Sequence, residues 1–105
     1  MEAEILQELK EELQNEADFN EIMLKNRIKN AIREVKAIRR YPKSYTENQI
    51  NDDMNNFYSV VRAVALYDYN LVGAEGEQGH TENGISRNYV KRESLFGDVL
   101  PLARL

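Results

Sequence analysis

The stretch GHTENGISRNYV, residues 79–90, gathers the side chains of this chain that could do acid–base chemistry: the single histidine, His80, with Glu82, Ser86 and Arg87 close behind it. With Glu75, Glu77 or Glu82 to orient it, His80 could act as a general base, a role that suits an imidazole near neutral pH. The plainer reading is stronger. Gly79 and Gly84 suit tight turns, the glutamates suit a solvated hairpin, and no oxyanion-hole motif surrounds Ser86. Metal sites draw on several His, Cys or acidic ligands, and a nucleophilic triad would have to run through this one imidazole. The chain has no cysteine, which removes thiolate nucleophiles, disulfides and cysteine-based zinc sites together and leaves a reducing compartment unopposed. The expectation is a protein that is not an enzyme, with no catalytic, cofactor-binding or metal-binding residues.

Two other constellations are charged. Lys25, Lys29, Arg33, Lys36 and Arg40 form a basic stripe one position round from an apolar seam, and Glu4, Glu8, Glu11 and Glu12 form an acidic one. They belong to opposite blocks: residues 1–21 hold eight acids against one lysine, and residues 22–45 hold eight bases against one acid. The net charge of -4 speaks against a bulk electrostatic grip on nucleic acid. The stripes could lie along each other within a subunit or between neighbours. Exposed pairs contribute only about 0–1 kcal/mol each, so they would select register and partner more than create affinity. Asp68 is the third feature, a carboxylate on an otherwise apolar stripe, where it needs a partner or suffers desolvation. Either a hairpin folds over the helix end and pairs it with Arg87, or Asp68 lies beyond the packed region and is hydrated.

The elements that must position these groups read as helices. Ile5, Leu6, Leu9 and Leu13 recur at helical steps within Glu4 to Gln14. Asp18 and Glu21 give a start signal resembling a capping box, with Ala17 and Ile22 as a staple, for a second helix over about 20–40. Along it Leu24, Ile28, Ala31, Val35 and Ile38 alternate steps of four and three, as a coiled-coil-like seam does. Tyr41-Pro42 ends it, because proline lacks the amide hydrogen and drives the preceding residue out of the α region. Thr46 and Gln49 make a capping box flanked by Tyr45 and Ile50, opening a third helix over about 47–71. Its seam is Ile50, Met54, Phe57, Val61, Val64, Asp68 and Leu71. Two matching seams across a short link predict a long antiparallel helical hairpin.

Four of the five glycines fall between Gly73 and Gly84, too dense for a helix interior. Asn83-Gly84 suits a two-residue turn, predicting a small β-hairpin near 78–89. Ser94 can cap a last short helix through Leu95, Phe96, Val99 and Leu100, stopped by Pro101, with the apolar tail 102–105 docked beyond it. The fold expected is all-α, a single domain over 1–105, with short N- and C-terminal helices beside the long hairpin. The longest apolar runs are far short of the roughly 20 residues needed to span a bilayer, and Met1 is followed by acid, so no membrane partner or export is expected.

Residues 66–101, LYDYNLVGAEGEQGHTENGISRNYVKRESLFGDVLP, resemble the small head-tail connector (adaptor) family of long-tailed bacteriophages. That family carries a tyrosine- and asparagine-rich helix end, a glycine-acid loop, an H-[ST]-E-N-G-I-S-R hairpin and a closing D-V-[IL]-P. His80, Thr81, Glu82, Asn83, Gly84, Ile85, Ser86 and Arg87 fill the hairpin motif; residues 1–21 carry no part of it. The resemblance implies a structural protein of phage or prophage, assembled as a ring, usually of twelve subunits, in the virion neck after synthesis in the bacterial host cytoplasm. Its implied partners are other copies of itself, the portal protein and a tail-side connector protein, with DNA passing through without specific binding. The hairpin residues would then be recognition elements, and the basic stripe would face protein. The alternative is a small helical DNA-binding regulator using the basic helix 22–40, against which Pro42 and the long third helix weigh, since a helix-turn-helix needs a short turn and a short recognition helix.

Overall fold

The computed structural model describes residues 1–75, 92–97 and 99–102. Helix α1 spans Glu2–Leu13, α2 Glu21–Arg39, α3 Glu47–Met54 and α4 Tyr58–Glu75; a 3-10 turn at Asn55–Phe57 joins α3 to α4, and another covers Arg92–Phe96. Met54, Asn55 and Tyr58 all keep right-handed helical angles, so α3 and α4 form one nearly continuous rod of about 43 Å. Three helical rods make the fold, and the described residues contain no strand.

The rods pack by burying one face each. Ile5, Leu9 and Leu13 of α1, Leu24, Ile28, Ala31 and Val35 of α2, and Met54, Val61, Val64, Ala65 and Tyr69 of the third rod form the core, closed by Val99. Burying a Leu or Ile of this set contributes about 1.5–3 kcal/mol each. The long pair is antiparallel: Asn20, opening α2, meets Tyr69 late in α4, while Arg39, ending α2, meets Asp53 in α3. Helix α1 lies against both, its Lys10 paired with Glu21 of α2 and its Glu8 and Glu12 with Arg62 of α4. That gives an up-down-up bundle.

Local signals explain the boundaries, with three departures from the sequence reading. Thr46 and Gln49 form the expected reciprocal capping box. Helix α2, however, starts from Asn20, whose side chain accepts from the Met23 amide at 3.0 Å, and not from Asp18. Its own amide donates to the Tyr69 hydroxyl at 2.8 Å, so a tertiary contact selects this cap over the one two residues earlier. The Ala17–Ile22 staple is absent, with Ile22 75% exposed. Helix α2 ends with Arg40 in the left-handed region at φ 55, immediately before Tyr41, which Pro42 keeps out of the α region.

The second departure is the third seam. A strict alternation of four and three places Asp68 on the stripe, but a straight helix turns 3.6 residues per turn and drifts about 20° per heptad. The buried line therefore runs Val61, Val64, Ala65, Tyr69, leaving Asp68 and Leu71 at its rim. The third lies at the C-terminal side, where a 3-10 turn over Arg92–Phe96 stands in place of the short α-helix expected from Ser94. Of the tail 102–105 expected to dock, Leu102 does so, its amide donating to the Arg39 carbonyl at 2.8 Å, and residues 103–105 lie outside the described residues. The hairpin expected near 78–89 lies outside the described residues.

Candidate interaction site

The helix wheel divides the polar groups between two faces of the α2–α4 layer. Residues 62 and 68 of α4 stand about 120° apart round the helix, as do residues 21 and 34 of α2 to within about 20°. Arg62 and Glu21 meet α1, whereas Asp68 and Glu34 meet Arg92. Helix α1 thus covers one face, and residues 92–97 and 99–102 strap the other.

On the strapped face, Arg92 is the hub. Its Nε donates to Asp68 Oδ1 and its Nη2 to Asp68 Oδ2, both at 2.7 Å, while Nη1 and Nη2 reach Glu34 at 3.0 and 2.6 Å. The hydrogen bonds to Asp68 and then Glu34 raise the guanidinium's affinity for its proton well above the ordinary arginine value. The guanidinium carbon lies 5.4 Å from the centre of the Phe96 ring. Asp68 therefore has a charged partner, so the hydrated alternative is not what this structure contains. The partner is a residue the sequence reading did not single out, and Arg87 lies outside the described residues.

At the other end of the strap Arg39 plays the matching part. Its Nε and Nη2 grip Asp53, each at 2.8 Å, and Nη1 donates to the Leu100 carbonyl at 2.8 Å; the guanidinium sits 4.9 Å from the centre of Phe57. The Tyr41 hydroxyl donates to Asp53 at 2.6 Å. Burial, followed by the neighbouring Asp53 carboxylate, pushes the Tyr41 phenol up to about 12. Burial also pushes the Asp53 carboxyl up, but hydrogen bonds from Arg39 and Tyr41 outweigh it and hold the group below the usual carboxylate range.

Beside the Arg92 anchor, on the side away from Arg39 and toward the start of α2 and the end of α4, lies an open cleft of about 360 Å³ lined by Arg27, Asn30, Arg33, Glu34, Asp68 and Leu71. The Arg27 Nε is buried and has no hydrogen-bond partner. A donor left in that state costs about 1–3 kcal/mol.

The stripes read from sequence are placed as follows. Lys25, Lys29, Arg33, Lys36 and Arg40 are all exposed, and none takes part in a salt bridge among the described residues. Glu4, Glu8, Glu11 and Glu12 are exposed too, but the stripe divides. Glu8 and Glu12 turn to Arg62, and Glu8 also accepts from the Tyr58 hydroxyl at 2.9 Å; among the described residues Glu4 and Glu11 make contacts within their own helix, with the N-terminus and Gln7, although the Glu4 charge is also felt by the Tyr58 phenol. Within one chain, then, the two stripes do not pair with each other.

The recognition residues His80, Glu82, Asn83, Gly84, Ile85, Ser86 and Arg87 lie outside the described residues. Among those described, no group of His, Cys, Asp or Glu could hold a metal ion, and no helix is long and apolar enough to cross a membrane. The chain matches no protein-family model, no curated protein and no solved structure. Sequence reasoning missed Arg27, Glu34, Arg39, Asp53, Arg62 and Arg92. Of these Arg39 carried a signal, as a cation beside the Tyr41-Pro42 stop, whereas Arg92 carried none, because its partners are 24 and 58 residues away.

Proposed function

We propose that this chain is a structural head-tail connector subunit of a phage or prophage, which assembles with copies of itself into a ring, docks on a portal protein and continues the DNA channel toward a tail-side connector. The hairpin motif of His80 to Arg87 supports the family reading. The observation that carries the assembly reading is charge left unpaired among the described residues: a row of five exposed cations on α2, with Ile22 75% exposed at its head, and outward carboxylates at Glu4 and Glu11 on α1. A ring forms when one patch of a subunit meets a different patch of the next and the rotation closes. Oppositely charged patches that leave each other free within the chain meet that requirement, and an all-helical scaffold holds them in fixed register. Charge complementarity of this kind steers and orders assembly more than it drives it.

Sedimentation velocity over a range of concentrations, with negative-stain imaging of the larger species, tests this reading. A concentration-dependent oligomer that dissociates at high salt and appears as rings is the expected outcome. A monomer at every concentration that retards duplex DNA, with retardation lost in Lys29→Glu/Arg33→Glu, would replace the connector with the DNA-binding regulator.

A further inference from the structure

We infer that the cleft formed by Arg27, Asn30 and Arg33 is a carboxylate-binding site, and that its occupant is the outward acidic edge of α1, Glu4 and Glu11, from a second copy of this chain. The inference rests on the ring reading and places one of its contacts.

The cleft's own acids are already used. Glu34 and Asp68 are both gripped by Arg92, so among the described residues its remaining charged groups are the Arg27 and Arg33 guanidinia, with the Asn30 amide also in its lining. The Arg27 Nε is buried without an acceptor, so an incoming carboxylate would meet the terminal Nη donors, a planar pair shaped to take a carboxylate. Arg27 and Arg33 are about 9 Å apart in rise and about 120° apart around α2, yet both line the cleft; Glu4 and Glu11 lie about 10.5 Å apart along one line of α1, and the long side chains on both sides must span the difference in direction. Glu4 has 72% of its side chain exposed, and its nearest cation is the N-terminus at 3.6 Å on the same helix.

Placement decides between a contact within the chain and one between copies. The cleft opens on the strapped face of the α2–α4 layer, while α1 covers the opposite face, so the acids of one chain face away from its own cleft. Donor on one side and acceptor on the other is the head-to-tail arrangement, and successive copies can repeat it.

Charge reversal in the full chain tests this. Arg33→Glu, at an exposed position, and Arg27→Glu should each weaken self-association on the order of tenfold or more, and Glu4→Lys/Glu11→Lys should do the same. Far-ultraviolet circular dichroism melts establish that each variant is folded. Mixing Arg27→Glu/Arg33→Glu protein with Glu4→Lys/Glu11→Lys protein should restore association that neither shows alone, because each supplies the surface the other lacks. If the unaltered chain self-associates and the reversals leave it within twofold, this site is overturned while the ring reading stands. If the unaltered chain never self-associates, both fail together. Loss of duplex DNA retardation in the Arg27 and Arg33 variants, with self-association unchanged, would reassign the cleft to phosphate and overturn the inference.

Discussion

Replacing Arg92 with methionine keeps most of the stem and removes the fork that joins α4, α2 and the strap. The side chain of Asp68 is only 14% exposed, against 41% for Glu34, so the loss falls mainly on Asp68, left half-buried without a counter-charge. Breaking such a pair from one side costs about 2–3 kcal/mol, less than in a dry interior because water reaches the rim. The Glu34 contact, being more exposed, adds about 0.5 kcal/mol. For a chain of this length that is a fall of about 10–15 °C in Tm. Asp68→Asn, which leaves Arg92 its Glu34 partner, should cost about 1–1.5 kcal/mol. Urea unfolding of both single variants and the double variant at pH 7 then gives a coupling energy, expected near 1.5 kcal/mol. Additivity to within about 0.3 kcal/mol would refute the argument, since residues that share no interaction behave that way.

The Arg39–Asp53–Tyr41 cluster predicts pH dependence at both ends of the scale. The Tyr41 phenol is raised by folding, so its contribution is present below the unfolded value near 10 and is lost as pH rises toward 12; Tyr41→Phe should flatten this alkaline loss in thermal melts at a cost of about 1 kcal/mol at neutrality. The Asp53 carboxyl is lowered by folding, so its contribution is present above about pH 4 and is lost as pH falls through the folded value, and Asp53→Asn should reduce the acid sensitivity of unfolding. Thr46→Ala removes a capping oxygen 3.1 Å from the Gln49 amide and should cost about 1 kcal/mol in urea unfolding. Leu24→Ala, at a fully buried position, should cost about 2–5 kcal/mol by the same measurement.

The helical scaffold was legible wherever burial follows sequence spacing. Leu24, Ile28, Ala31 and Val35 were read as one face and are buried as one, and the Thr46–Gln49 box forms as read, because both are local. The cap at Asn20 was missed because Tyr69, 49 residues on, supplies the bond that fixes it. Asp68 was seen to need a partner, but which cation reaches it depends on how the chain returns after α4, and periodicity carries no information about that path. The charged stripes were legible as patterns. Their division was not: Glu8 and Glu12 differ from Glu4 and Glu11 only by rotation about α1, and that difference acquires meaning once Arg62 is known to stand beside it.

One consequence follows from Arg39 serving two segments. Its carbonyl and its Nη1 both hold the strap, through the Leu102 amide and the Leu100 carbonyl, while its Nε and Nη2 are steered by Asp53. The guanidinium is aimed at Leu100 only after the turn after α2 has brought α3 alongside, so the last stretch of chain has nowhere to attach until the long pair has closed. Segment 99–102 should therefore lock late in folding. Weakening its attachment should hasten unfolding and leave the rate of collapse nearly untouched.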